Sequence, residues 1–252
     1  MRILWISANK LGYELLLETQ KLQNISIIGI VTLSEDSPTI MYDPIEKDNS
    51  WYDFGYPVFE VTHINEEDNL IKRMHADLVI MCGWRQIVNE EIFSVPEKGF
   101  IGFHPTLLPY GRGPAPIINS ILYGLRESGI TMFYVNKETD SGDIIGQENI
   151  TIASNDYAID VYNKIIQAGK ILIKKCLPLV ALDENVRIPQ NEDRTFYFPK
   201  RTIQDNEIDL ENDNLDTIYN KIRAFSYPYK GAFILQNDKK ITIWKADVEQ
   251  LK

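Results

Sequence analysis

Two cysteines in 252 residues, Cys82 and Cys176, are too few for a disulfide framework and too far apart for a Cys-x-x-Cys metal or redox pair. They are expected to be buried or incidental thiols in a reducing compartment. No apolar stretch approaches membrane-spanning length. The opening Met1-Arg2-Ile3-Leu4-Trp5-Ile6-Ser7 is too short an apolar run for a signal peptide and lacks a cleavage pattern, so a cytoplasmic protein is expected. Positive charge is scarce as well: 26 Lys and Arg against 36 Asp and Glu leave a formal net charge of −10. A chain that grips nucleic acid normally presents a basic face, because counterion release from phosphates drives that binding. No nucleic-acid partner is expected, whereas a small anionic substrate needs only one or two well-placed arginines.

What is present suits a folded body. Hydrophobic residues make up 44% and charged residues 25%, enough for a substantial core. Arg2 to Ser7 reads as a strand, Leu11, Leu15, Leu16 and Leu22 as a helical stripe, and Ile25 to Leu33 as a strand covered on both faces. This opening predicts a parallel α/β unit. Residues 34–56 are polar and rich in turn formers, so an irregular insertion is expected there. Val58 to Val61 follows as a short strand, and Asn65 as the N-cap of a helix with acidic residues in its first turn. Leu78 to Cys82 and Gly99 to His104 are compact strands, and Gly129 to Val135 another. Asn155 or Asp156 is placed to cap a long helix through Cys176, and residues 183–193 read as a connector. Beyond them come a helix near Leu215 to Ala224 and a hairpin turning at Asn237-Asp238. The expected architecture is a Rossmann-like α/β body, a mostly parallel twisted sheet with helices on both faces, over residues 1–200. A small C-terminal α+β subdomain over 201–252 completes it.

The densest chemistry lies between Gly102 and Pro116. His104 ends a buried strand where an open sheet offers a crevice, and imidazole suits proton transfer near neutral pH. A structural histidine bonded to a nearby carbonyl reads equally well from position alone. Arg112 stands between two glycines, which permit close approach of backbone to a ligand, and its guanidinium can fork onto phosphate or carboxylate. The alternative is a surface arginine in a loop. Asp140-Ser141-Gly142-Asp143 is a turn, and its first carboxylate, if close to His104, would orient the ring and favour its protonated form. By itself a plain Asx-turn explains it. The acidic run Asp205, Glu207, Asp209, Glu211, Asp213 and Asp216 lacks the glycine and the glutamate that an EF-hand loop needs at its sixth and twelfth places. No metal is assigned.

Taken together, His104-Pro105-Thr106-Leu107-Leu108-Pro109, Arg112-Gly113, Gly129-Ile130-Thr131 and Asp140-Ser141-Gly142-Asp143 resemble, in order, four motifs of the formyltransferases that use 10-formyltetrahydrofolate. Phe198-Pro199-Lys200-Arg201-Thr202, Ile222-Arg223-Ala224-Phe225 and Tyr227-Pro228-Tyr229-Lys230-Gly231-Ala232-Phe233 extend the resemblance into the C-terminal region. The resemblance implies transfer of a formyl group to an amine, with His104 and Asp140 catalytic. It implies a folate side formed by Cys82, Gly83, Trp84, Arg85 and Ile87 together with Asp140. One departure stands out: the family's asparagine, an oxyanion donor two residues before the histidine, is Gly102 here. Losing such a donor without replacement costs roughly a hundredfold or more in rate.

The tail after Arg201 is short and acidic, unlike the basic C-terminal domain of methionyl-tRNA formyltransferases. Glycinamide ribonucleotide formyltransferases lack the Pro-Lys-Arg-Thr and Tyr-Pro-Tyr-Lys-Gly-Ala-Phe segments. Length, tail and Gly-Phe-His-Pro are similar to the nucleotide-sugar N-formyltransferase branch. The expected acceptor is a nucleotide-linked amino sugar, such as a dTDP-4-amino-4,6-dideoxyhexose destined for surface polysaccharide. Asn9, Lys10, Trp84, Arg112, Gly113, Pro114, Ala115 and Tyr227 are the candidates for holding it. Its expected partners are these two small molecules and, as an oligomeric option, a second copy of the chain. A formyltetrahydrofolate hydrolase and a non-catalytic folate- or nucleotide-binding module are the rival readings. The hydrolases usually carry an N-terminal regulatory domain, whereas this sequence starts with its first strand.

Overall fold

The computed structural model describes residues 1–39, 43 and 48–249; residues 40–42 and 44–47 of the expected irregular insertion lie outside them. Among the described residues the centre is a seven-stranded sheet. β1 (Arg2–Ile6), β2 (Ser26–Leu33) and β4 (Leu78–Cys82) are buried along most of their length, as runs of Ile, Leu and Val covered on both faces must be. They pair in parallel with one another, with β3 (Val58–Val61) and with β5 (Phe100–His104). After β6 (Tyr110–Arg112), β7 (Glu127–Tyr134) joins β5 antiparallel, and β8 (Ile144–Thr151) joins β7 antiparallel. The order is β3-β2-β1-β4-β5-β7-β8.

Side chains alternate between the two faces. Ile3, Trp5, Leu78, Ile80 and Cys82 point to the side covered by α1 (Lys10–Thr19) and the long α5 (Ala158–Ala181). Leu4, Ile6 and Val79 point to the side where α2 (Asp68–Met74) and α3 (Glu90–Phe93) contribute Ile71 and Ile92. α4 (Pro116–Leu122) packs on α5 and on α6 (Leu215–Phe225), and Ile208, Ile222, Phe225 and Ala232 join the same core as α1 and α5. β9 (Phe196–Tyr197) pairs with β6, and β10 (Ala232–Gln236) with β11 (Lys239–Ile243). The hairpin turn falls on Asn237 and Asp238, at φ 47° and 61°, the left-handed pair that matches the twist of flanking strands.

Two helix starts differ from expectation. Asn65 does not cap α2: its amide donates to the Ile87 carbonyl (2.9 Å) and accepts from the Asn89 N–H (2.9 Å), tying the loop after β4 to the body. α5 begins after Tyr157 and not after Asn155 or Asp156, because Asp160 reaches back to the Tyr157 N–H (2.9 Å) while Asp156 is occupied by the Ala153 N–H (2.7 Å).

The chain winds outward from β1 to β3, then crosses back to place β4 on the other side of β1. Ligands of open α/β sheets bind at such a switch, beyond the carboxyl ends of the strands. The ends of β1, β4 and β5 carry Asn9 and Lys10, Gly83 to Ile87, and His104 respectively.

Candidate active site

His104 closes β5 with its ring buried, 7% exposed. One ring nitrogen, Nε2, lies 2.7 Å from the Gly111 carbonyl, which can only accept, so Nε2 carries the hydrogen. The other, Nδ1, faces the Asp140 carboxylate at 3.4 Å. Asp140 itself accepts the Gly113 N–H (2.9 Å), and its backbone is left-handed at φ 54°. The two side chains that the family resemblance names therefore meet.

Each short motif has a local reason. Thr131 of Gly129-Ile130-Thr131 is fully buried and anchors the loop after His104: its hydroxyl donates to the Thr106 carbonyl (2.7 Å) and accepts from the Leu108 N–H (3.1 Å). Gln147 on β8 donates to the same hydroxyl (2.9 Å) and to the Leu108 carbonyl (2.8 Å). Gly129 must lack a side chain because a Cβ there would stand 2.4 Å from both the Leu107 side chain and the Glu148 carbonyl. At Gly142 a Cβ would stand 1.7 Å from the Tyr134 carbonyl, so the turn closes only with glycine. Gly102 faces the Phe133 ring, whose edge would lie 2.9 Å from a Cβ. An aromatic edge thus fills the space beside His104 on β5 where the family's asparagine side chain is expected.

Arg112 differs from its expectation as an open anion fork. It is 1% exposed, and its guanidinium is spent inside the protein. Nη1 and Nη2 grip the two Glu192 oxygens (3.0 and 2.7 Å), Nε and Nη2 grip Gln190 Oε1 (3.0 and 2.8 Å), and Nη1 reaches the Tyr197 hydroxyl (3.3 Å). Burial works against the charge, but the hydrogen bonds to Glu192 and Tyr197 outweigh it and hold the group above the ordinary arginine value. Gly113 binds Asp140 through its backbone, Pro114 is exposed, and Ala115 sits left-handed (φ 53°) at the start of α4.

The β4 end is mixed. Cys82 turns its fully buried thiol into the core, where burial and then Asp43 push it far above the usual thiol range. Gly83 lies at φ 64° with the Asn9 amide 2.0 to 2.2 Å from where a Cβ would be. Trp84 is half-buried and its indole Nε1 has no partner among the described residues, Arg85 reaches Asp43 (3.3 Å), and Ile87 is 75% exposed. Gln86 ties this loop down through Thr39, Thr62 and Ile64.

Asn9 is likewise committed internally. Its Oδ1 caps α1 through the Gly12 N–H (3.0 Å) and its Nδ2 donates to Asp43 (2.7 Å). Asp43 also accepts the Tyr162 hydroxyl (2.6 Å), and its carbonyl takes the Lys10 N–H (2.9 Å). Tyr227 follows α6 and is 56% exposed. Asp43, Tyr162, Gln147, Gln190 and Glu192 were not singled out from sequence; each is an isolated polar residue whose partner lies far away in the chain. Among the described residues no group of three or more His, Cys, Asp or Glu could hold a metal ion, and no helix is long and apolar enough to cross a membrane.

An open α/β sheet thus carries a histidine and an aspartate side by side at its strand ends. The chain belongs to the formyl transferase family: the family model described as formyl transferase matches residues 1–177, and that of its C-terminal domain matches 200–252. It is 29% identical over 252 residues to the bifunctional polymyxin resistance protein ArnA of Wigglesworthia glossinidia brevipalpis, covering 98% of this chain and 38% of that protein. It is 34% identical over 193 residues to methionyl-tRNA formyltransferase of Halalkalibacterium halodurans, covering 76% of this chain and 60% of that one. The chain thus spans less than two thirds of either relative's length. Its fold is similar to the X-ray structure of a sugar N-formyltransferase from a Shewanella species, with TM-score 0.77, 22% identity and coverage of 100% and 99% of the two chains.

Proposed function

We propose that this protein transfers a formyl group from 10-formyltetrahydrofolate to the amine of a nucleotide-linked amino sugar. The observation that carries the reading is the convergence of His104 Nδ1 and the Asp140 carboxylate at 3.4 Å beside the β5 end. In the reacting tautomer the hydrogen sits on Nδ1, toward Asp140, leaving Nε2 as the base. The incoming amine replaces the Gly111 carbonyl at Nε2. The amine nitrogen attacks the formyl carbon, and its proton passes to Nε2. The same proton then moves to the folate nitrogen as the carbon–nitrogen bond to folate breaks. Asp140 fixes the ring and balances the transient imidazolium. Positioned proton transfer of this kind is worth on the order of 10²–10⁴ in rate.

The cofactor side fits the loop after β4, where exposed Ile87 and the half-buried Trp84 offer apolar surface and Arg85 a cation toward an anionic tail. Full-length similarity to a sugar N-formyltransferase supports the sugar as acceptor. So does the acidic run from Asp205 to Asp216, which is a poor surface for tRNA. Lys10, Gly113, Pro114, Ala115 and Tyr227 line the acceptor side of this reading, with Tyr227 free to stack on a base. Arg112 and Asn9 serve it from within, as supports and not as ligands.

The test is mass spectrometry of purified protein with 10-formyltetrahydrofolate and separate acceptors: a panel of nucleotide-linked amino sugars beginning with dTDP-4-amino-4,6-dideoxyhexoses, Met-tRNA, glycinamide ribonucleotide and water alone. A one-formyl mass gain on an amino sugar is expected. His104→Asn should lower that rate by about 10²–10⁴ without changing the folded state. Formylation of Met-tRNA or the ribonucleotide instead, or release of free formate alone, overturns the reading.

A further inference from the structure

We propose that Gln190, on the connector between α5 and β9, is a positioning residue that sets the geometry of the His104–Asp140 pair; this rests on the transfer reading above. The amide's orientation is not ambiguous. Oε1 accepts from Arg112 Nε (3.0 Å) and Nη2 (2.8 Å), groups that can only donate. Nε2 donates to the carbonyls of Asp140 (2.8 Å) and Gly142 (2.8 Å), groups that can only accept. Flipping the amide would set four like-facing groups against one another.

The placement of these four bonds is what gives the residue its role. One end of Gln190 holds Arg112, whose neighbours on either side touch the reacting pair: the Gly111 carbonyl holds His104 Nε2, and the Gly113 N–H holds the Asp140 carboxylate. The other end bridges the two carbonyls flanking Ser141, across the turn whose first residue is Asp140. That residue is in the left-handed region, φ 54°, which aspartate tolerates as a single residue, and the two bonds to Gln190 brace the turn around it. Glu192 takes both terminal nitrogens of Arg112, so the guanidinium cannot swing away from Gln190. The His104 Nδ1 to Asp140 distance of 3.4 Å is at the limit of a hydrogen bond, where a small displacement of the turn removes the contact. Gln190 therefore acts through Asp140 and touches neither substrate.

A residue that only stapled the connector would lower stability and leave the chemistry of folded molecules unaltered. Two variants separate the roles. Gln190→Met keeps the length and loses all four bonds. Gln190→Glu keeps acceptors for Arg112 and loses both donors to the turn. We expect each to lower kcat per folded molecule by about 10- to 100-fold while KM for folate and for amino sugar stays within about threefold. The second readout needs no substrate. The protein has three histidines, so the ring nitrogens of His104 are assignable in nitrogen-15 spectra by difference from His104→Asn. The Nδ1 signal should move in both variants at constant pH. Unaltered kcat per folded molecule together with an unmoved Nδ1 signal overturns the positioning role. If the wild-type protein formylates no amino sugar, the transfer reading fails separately, and the Nδ1 signal alone then decides the role of Gln190: a shift supports it and its absence refutes it.

Discussion

Gly142→Ala concentrates the geometry of the site in one methyl group. A Cβ at this position would stand 1.7 Å from the Tyr134 carbonyl oxygen, whereas real Cβ atoms essentially never come within 3.0 Å of a neighbour, so the turn must retreat by about 1.3 Å. Three hydrogen bonds that hold the turn in place are strained by this movement: Tyr134 N–H to Asp143 O (2.9 Å), Gln190 Nε2 to Gly142 O (2.8 Å) and Gly113 N–H to Asp140 Oδ2 (2.9 Å). At about 1 kcal/mol each their loss costs about 3 kcal/mol. For a chain of this size that corresponds to a fall in Tm of about 6–12 °C. The Asp140 carboxylate moves with the turn and leaves His104 Nδ1, now at 3.4 Å, beyond hydrogen-bond reach. A misplacement of about 1 Å near reacting groups lowers rate on the order of 10²-fold. The assay pairs thermal melting with single-turnover formyl transfer at a temperature where the variant is fully folded. A variant that melts early but turns over at the wild-type rate would show that the turn does not set the position of Asp140. One that melts at the wild-type temperature would show that the tight contact with Tyr134 is relieved without cost.

Glu192 and the space beside His104 each give a further test. The Arg112 hydrogen bond holds the Glu192 carboxyl below its usual range, so its contribution to stability is complete above the unfolded carboxyl pKa near 4.5 and is lost as pH falls through the depressed folded value. Urea midpoints of wild type and Glu192→Gln should therefore differ at pH 7 and converge as pH falls through the depressed folded value; a gap that is constant with pH contradicts the ion pair. Gly102→Asn should cost about 1–3 kcal/mol by overpacking, because the Phe133 edge already lies 2.9 Å from the new Cβ. Phe133→Ala in the same chain should make the asparagine less costly, giving a coupling of at least about 0.5 kcal/mol in a double-mutant cycle. Additive effects would mean that the two side chains do not compete for one space.

The fold and the short motifs that carry His104 and Asp140 were legible because both are written in short-range pattern. Ile25 to Leu33 and Leu78 to Cys82 are too apolar for a one-faced strand, and each became an inner strand of the sheet. Asn237-Asp238 announces a hairpin, since both residues tolerate the left-handed backbone that the turn requires. The glycines of the motifs mark close approaches, 2.4 Å at Gly129 and 1.7 Å at Gly142, which are local consequences of where neighbouring strands run. The misread residues share a different property. Arg112 between two glycines satisfies equally the demands of a ligand fork and of an internal staple, because both need backbone brought close to a guanidinium. Which one it is depends on Gln190 and Glu192, separated from it by 78 and 80 positions. Those two lie in a polar connector that no periodicity distinguishes from an ordinary linker. Asn65 and Asp156 have side chains suited to capping, and each was drawn to an available backbone partner other than the helix start expected for it. Short motifs thus locate the groups that turns of a few residues bring together, but they leave open the groups that hold those turns still. Here the holding groups are polar side chains on a segment with no buried apolar stripe, and only the folded chain brings them to the turn they brace.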